Sequence, residues 1–463
     1  MAKSKPSVTS KTSTEGGHAD RLGKRTLVFD NGAHSIKAGF SVAGSEPKVQ
    51  DCHAVANCIA RSQRDKLTYI GQELDDCRDF GELQIRRAVE KGYVVSWEAE
   101  KTIWERTLLH PQSPFRCDPH HTTLLYTEAP NAPTVLSRNA DEIIFEEFEF
   151  HALYRTISPA LNAYAPSPFP TTTTTPTPPL LPHGVPLQSV LIVDAGHSHT
   201  TVTPLYHGRP LHPACRRLDI GGKTLTNYLR SLLSRTMDMH REEWISQEIK
   251  EDTCYVCPSA QDFSDRLERV WKGGQKDHRT IDASLVVDYV LPDYERLLRG
   301  FPRPHDPSQG AKMRRLGIGG AAGGWSEMVL PIGNERFTTP EILFTPSDLG
   351  MQQEGIAGTI LQTLHALPKG LWQSFLGNIV VVGGTTLLPG FVERLENDLR
   401  MRIDEGYVVR VAKAEDPVKN AWLGGARLAQ NEDVLKALVV TRKEYEEHGD
   451  VWTRRKFAGK VGK

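Results

Sequence analysis

The sequence predicts an α/β protein built as two similar lobes around a central cleft, and three observations carry that prediction. First, a short β-forming run ends in aspartate and then small residues twice, at Leu27-Val-Phe-Asp30-Asn-Gly32 and Leu191-Ile-Val-Asp194-Ala-Gly196, 164 positions apart. A strand ending in Asp-x-Gly leaves a tight turn whose backbone N–H groups can face a phosphate, while its carboxylate suits a hydrated metal ion. Second, 463 residues are too many for one ordinary core, so two large lobes are the natural division. Third, Ile379-Val-Val-Val382 is a continuous apolar run of the kind a doubly covered strand needs, and it leads directly into Gly383-Gly384-Thr385-Thr386. A glycine pair at the carboxyl end of a buried strand is where open α/β sheets take their ligands. Two such turns imply two halves closing on one nucleotide.

Residues 1–24, rich in Ser, Thr, Lys and Gly, read as a disordered tail. The first lobe is expected over 25–164. Thr26 to Phe40 resembles a hairpin turning at Asn31-Gly32, and Ser96 caps a helix whose Trp97 and Trp104 share one core-facing stripe. His121 to Tyr126 reads as a strand, and the acidic and apolar residues from Ala140 to Phe150 read as an amphipathic helix. Five consecutive threonines at 171–175 sit among eight prolines, so 165–186 reads as an extended surface insertion.

The second lobe is expected to begin over 187–300. Its strands are Val190 to Val193 and Thr200 to Leu205; helices near Leu225–Leu233 and Arg241–Lys250 follow, then a less regular stretch. A Gly/Pro-rich insertion is placed at 301–328. The remainder, 329–463, is patterned again, with a helix near Gly355–Leu367, the buried strand ending at Val382, a helix after Pro389, and a final segment returning to the first lobe.

A formal charge of -1 argues against an acidic solvating protein and against one dominated by nucleic-acid electrostatics. Seven cysteines, an odd number, fit a reducing compartment better than a disulfide framework, and Cys254-x-x-Cys257, lacking a second pair, is assigned no metal. No apolar run reaches the length of a membrane span, so a soluble, unsecreted protein is expected. Basic clusters near both ends, including Arg454-Arg455-Lys456, are compatible with nuclear import.

The strings Asp30-Asn-Gly-Ala-His-Ser-Ile-Lys-Ala-Gly-Phe40, Thr127-Glu-Ala-Pro130, Arg217-Leu-Asp-Ile-Gly-Gly222, Asn334-Glu-Arg-Phe337, Pro340-Glu-Ile-Leu-Phe344, Gly383-Gly-Thr-Thr386 and Trp422-Leu-Gly-Gly425, in this order, resemble the actin family from Thr26 to Phe457. The resemblance implies an actin-like, ribonuclease-H-like duplicated fold with ATP and Mg in the cleft. Lys250-Glu-Asp-Thr-Cys-Tyr-Val256 and Val440-Thr-Arg-Lys-Glu-Tyr-Glu-Glu447 look most like the nuclear actin-related protein 6 subfamily. That likeness implies a nuclear protein, also cytoplasmic, within an SWR-type chromatin remodelling complex that installs a variant histone. Its implied partners are the complex's motor ATPase, a small zinc-finger subunit and, through the complex, the nucleosome and its histones.

Carried over residue by residue, the resemblance makes Asp30 and Asp194 the carboxylates facing a hydrated metal and Lys37 the phosphate-facing lysine, with Asn31 and Gly32 in the first turn. Gly196, Gly383 and Gly384 become the phosphate-approaching glycines; Gly222, Lys250 and Glu251 lie near the nucleoside. No residue is assigned a catalytic role. Where the family positions the attacking water, this chain carries Ser158, followed by Pro159, and Thr201; His34 replaces a glycine and His197 an acidic residue. The stretch from Ile59 to Tyr69 is about half the corresponding actin segment, which implies loss of a filament contact. Two alternatives stay open: an active ATPase or sugar-kinase-like enzyme of the wider superfamily, and a cytoplasmic cytoskeletal protein.

Overall fold

The computed structural model describes residues 22–64, 66–169, 181–270, 282–306 and 328–458. Two mixed sheets organise the chain. In the first, Arg25–Asn31 pairs antiparallel with Ser35–Ser41 and parallel with Thr122–Glu128, which in turn lies parallel to Ala152–Ile157. In the second, Ser189–Ala195 pairs antiparallel with Thr200–Tyr206 and parallel with Ile379–Val382, which lies parallel to Val411–Lys413. The same hairpin and the same two parallel neighbours therefore occur in each half. Even the register repeats: Asp30 stands opposite Lys37, and Asp194 opposite Thr201. This is an actin-like α/β fold with duplicated lobes.

Ile379–Val382 is apolar and buried on both faces, as a parallel strand covered on both sides requires. In the first lobe the helix Trp97–Leu108 is capped by the Ser96 hydroxyl accepting from the Ala99 N–H. Its Trp104 is fully buried, edge-on to Phe29 at 5.0 Å, and Trp97 packs edge-on to it at 5.9 Å. In the second lobe the helices Gly222–Leu233, Ile356–His365 and Phe391–Arg402 supply Leu225, Leu229, Ile360, Leu364, Leu395 and Leu399 to one core.

The chain's last segments bind the first lobe. The helix Asn420–Ala429 crosses the short helix Ser158–Asn162 so closely that a Cβ on Gly424 would lie 1.9 Å from the Leu161 carbonyl oxygen, which explains the glycine pair after Trp422. Val440–Thr441 then pairs with Ala152 and Leu153 at the edge of the first sheet.

Several expected boundaries move. Thr171 to Thr175 and the Gly/Pro-rich run 307–327 lie outside the described residues. Phe301–Pro304, assigned above to an insertion, is instead an edge strand antiparallel to Val287–Val290; prolines at 302 and 304 are tolerated there because an edge leaves N–H positions unpaired. The tail ends sooner than residue 24, since the Gly23 and Lys24 N–H groups donate to Thr123 Oγ1 and the His121 carbonyl. The helix expected over 140–150 runs from Thr134 to Glu142, widens into a π turn at Ile143–Glu147 and stops before Glu149, whose φ of 59° is not helical. The stretch after Lys250 is more regular than its composition suggests, with a helix at Ala260–Val270.

Across the mouth of the cleft the lobes touch. Phe80 stacks on Trp244 at 4.6 Å, and a Cβ on Gly92 would meet the His199 ring at 2.3 Å. Cys58, Ala60, Leu74 and Leu83 complete a small apolar cluster with Phe80, Trp244 and Tyr294.

Candidate functional site

All eleven residues singled out above, from both lobes, line one cavity of about 450 Å³ between the two Asp turns. On the first turn, Asp30 is almost fully buried at the end of its strand. Lys37 Nζ sits 3.1 Å from one of its carboxylate oxygens, and Thr127 Oγ1 donates to the other at 2.7 Å. Burial works against the Lys37 charge, but Asp30 and, more weakly, Asp194 outweigh it and hold the ammonium above its usual range. A Cβ on Gly32 would lie 2.7 Å from the Ser35 backbone carbonyl oxygen, so the turn beneath Lys37 takes glycine there. The Asn31 side-chain amide donates to Glu100 Oε1 at 2.6 Å, which fixes the turn from below.

On the second turn, burial and then the Asp30 charge raise Asp194 to about 6, against the pull of Lys37. Gly196 is the junction: its carbonyl accepts from Thr385 Oγ1 at 2.9 Å and from the Gly222 N–H at 3.0 Å. It thus ties the turn to the Gly383-Gly384 bend and to the helix that starts at Gly222. Gly383 has φ 92°, and a Cβ there would lie 2.4 Å from the Ala195 carbonyl oxygen. Such a cradle accepts only glycine and leaves backbone open to a phosphate. Lys250 donates to Thr226 Oγ1 at 2.9 Å and to the Gly222 carbonyl at 3.3 Å, while Glu251 accepts from Gln247 at the exposed rim.

A nucleotide in this cavity would set its phosphates against the cradle, and Asp30 and Asp194 would be the carboxylates facing a hydrated cation beside them. Among the described residues there is no group of three or more His, Cys, Asp or Glu side chains that could hold a metal ion by itself. Ser158 lines the cavity at the start of its short helix; Thr201 is buried in the second strand and does not reach the lining. The seven cysteines are free thiols, and burial pushes those of Cys254 and Cys257 up to about 12.

Three histidines crowd the same space. The rings of His34 and His197 lie 5.0 Å apart. Burial, then Arg87, Lys250 and Lys37, lowers His34 to about 3; burial and then Arg87 place His197 well below its ordinary range. His199 falls to about 4 through burial and Arg217, against Asp219. These three rings therefore bind more protons in the unfolded chain than in the folded one between the ordinary histidine value of 6.5 and about 4, so the stability they contribute falls as pH drops through that window. For His199, lowered from the ordinary 6.5 to about 4, the loss is roughly 2 kcal/mol by pH 4.5. Asp194 and Asp141, each raised to about 6 mainly by burial, act with the opposite sign from about pH 4 to 6, as do the buried Glu100 and Glu341, so the histidine contribution is read as a difference between wild type and variant. Measured from pH 7 to 4.5, urea midpoints of wild type should fall relative to those of His199→Gln as pH drops; parallel profiles for the two proteins refute the assignment.

Sequence reasoning missed the support beneath the first turn. Glu100 is fully buried and accepts at Oε1 from Asn31, Asn57 at 3.3 Å and Trp104 at 3.3 Å; burial raises its pKa against these donors. The available signal was a carboxylate at i+3 in the Trp97/Trp104 stripe, where an apolar residue was due. Thr127 and Thr385, present in the quoted motifs, also act as ties within the site.

A duplicated α/β fold with an Asp turn from each lobe closing on one cavity defines an actin-like protein. Residues 22–458 match the family model described as Actin. The chain is 44% identical to "Actin-like protein arp6" of Emericella nidulans over 484 aligned positions, covering 99% of this chain and all of that protein. It is 45% identical to "Actin-related protein 6" of Neurospora crassa, covering 94% and 95%, and 33% identical to the Drosophila melanogaster protein of that name, covering 92% and 98%. The chain belongs to the actin family and, within it, to the actin-related protein 6 subfamily.

Proposed function

We propose that this protein is a non-catalytic, nuclear structural subunit of an SWR-type chromatin remodelling complex that exchanges a variant histone into nucleosomes, with ATP and Mg retained in the cleft as a structural element. The observation that carries the non-catalytic reading is local. The phosphate cradle is intact, yet Ser158 is too short to position water and Thr201 lies buried away from the lining. Losing one preorganised water- or oxyanion-positioning contact costs about 3 kcal/mol of transition-state stabilisation. The motor ATPase, a small zinc-finger subunit and, through the complex, histones are the proposed partners. Full-length similarity to the actin-related protein 6 relatives supports this.

Filament formation is not part of the reading. Ile59–Arg61 and Thr68–Ile70 form a tight hairpin, with Ile59 opposite Ile70, and only six residues join the strands. Such a hairpin is too short to reach into a neighbouring subunit.

Affinity purification of the full chain from nuclear extract is the test. Recovery of a remodelling motor and histones is expected; filament components without them would overturn the assignment. Sustained Mg-dependent ATP turnover by the isolated protein, lost in Asp194→Ala, would establish the enzymatic alternative instead. Nucleotide binding is expected to fall by about a hundredfold or more in Gly383→Val, because the side chain has no room beside Ala195; isothermal titration reads it.

A further inference from the structure

Glu100 lies on the helix Trp97–Leu108 beneath the first Asp turn, and it is fully buried. Three N–H donors converge on one of its oxygens: Asn31 Nδ2 at 2.6 Å, Asn57 Nδ2 at 3.3 Å and Trp104 Nε1 at 3.3 Å all reach Oε1. Among the described residues the other oxygen, Oε2, is enclosed and without a partner, and so is the amide oxygen of Asn57. Turning that amide over would set oxygen against Oε1, so amide orientation does not cure the shortage. The cluster lacks a donor.

It also lacks a counter-charge. Lys37, across the turn, pairs with Asp30 at 3.1 Å, and Arg87 is directed to Glu243 of the other lobe at 3.8 Å. His34 is held neutral at ordinary pH by burial and then Arg87. On the strand Thr122–Glu128, Tyr126 faces Asn31 and Glu128 pairs with Arg155; on Glu100's own helix Lys101 pairs with Glu147 toward the surface. A metal ion in place of the missing donor needs space, and the two cavities that Asn31 lines include neither Glu100 nor Asn57. A buried carboxylate without a cation is far costlier than a buried carboxylic acid, and burial drives this group up from the ordinary 4.5 against its three donors.

We propose that Glu100 stands in the folded protein as a carboxylic acid whose Oε2 proton supplies the donor the cluster lacks, and that in this form it positions the first Asp turn. The link to the turn is Asn57. Its side-chain amide donates to the Gly32 carbonyl at 3.1 Å and its backbone N–H to the His34 carbonyl at 2.9 Å, so one residue clasps both arms of the turn. Asn31, which also donates to Oε1, belongs to the turn itself. Loss of the proton strands a charge under both asparagines, which makes the support of the turn proton-dependent.

Glu100→Gln is the neutral isostere: its Oε1 receives the three donors and its Nε2 supplies the missing one. A carboxyl that keeps its proton when folded and loses it when unfolded costs the wild type stability as pH rises above 4.5. Urea midpoints of the full chain between pH 5 and 8 should therefore show Glu100→Gln gaining on wild type, by up to about tenfold in the folding equilibrium per pH unit. Infrared spectra at neutral pH should show a C=O stretch of an un-ionised carboxyl in wild type that the variant lacks. Parallel profiles, with the variant less stable throughout, would mean an ionised Glu100 held by its three donors and would overturn the proposal. A wild-type midpoint that rises when KCl or NaCl replaces choline chloride, and no longer does so in Glu100→Gln, would assign Oε2 to a bound cation and overturn it equally. Should Glu100→Gln not fold, Glu100→Met, which also has no ionisable group, is expected to show the same widening gap from wild type, and a constant gap refutes the proposal.

Discussion

Glu341→Leu is expected to destabilise the second lobe by about 3–5 kcal/mol, because it removes one partner of a buried ion pair and leaves the other in place. The Arg394 guanidinium, 2% exposed, meets Glu341 in a two-pronged contact, Nη2 to Oε1 at 2.6 Å and Nη1 to Oε2 at 2.8 Å. Its Nε donates to Asp398 at 2.9 Å, Nη1 also reaches the Cys257 carbonyl at 3.2 Å, and the group lies over the Phe344 ring. These contacts fasten the helices Glu335–Glu341 and Phe391–Arg402 to the loop around Cys257. Removing the Glu341 carboxylate leaves a positive charge in the core with Asp398 alone to balance it. Chemical denaturation should show the midpoint falling with an unchanged slope. The double variant Glu341→Leu/Arg394→Met should recover most of the loss, since no charge is then stranded. A single-variant change under about 1 kcal/mol would mean that Asp398 and the carbonyl suffice.

Glu341 also shows what was legible in the sequence. The string Pro340-Glu-Ile-Leu-Phe344 marked the family, but nothing in its pattern states that a charged residue faces inward there; the reason lies 53 positions away, in Arg394. The duplicated architecture was readable because it is local: each half opens with an apolar strand, an Asp turn and a returning strand, and the pairing register repeats. The turn residues and glycines lining the cavity carry their constraint in a few adjacent positions, whereas Lys37, Lys250 and Glu251 were placed there only by the family resemblance. Arg87, Glu100 and the Phe80–Trp244 stack were not readable, because each acquires its role only when distant segments meet. The Phe301–Pro304 strand was hidden differently. Its composition is that of a loop, and only its place at a sheet edge makes two prolines acceptable.

Those distant meetings turn two halves into one molecule, and Trp422→Ala should show it most clearly, with an expected loss of about 3–5 kcal/mol. Trp422 is fully buried against Val28, Cys52, Leu125 and Leu161, first-half residues contacted by a helix near the chain's end. Its indole N–H points to the Gly39 carbonyl at 3.4 Å, and a Cβ on Gly39 would come within 2.7 Å of the ring, so tryptophan and glycine fill one space together. Alanine leaves a cavity that cannot readily collapse, because the Gly424 backbone is already pressed against the Leu161 carbonyl and the helix has no direction in which to settle. Trp422→Phe should recover more than half of the loss. If alanine instead costs less than about 1 kcal/mol, the close approach at Gly424 would be the principal fastening, and Gly424→Val would then unfold the junction while Trp422→Ala leaves it intact.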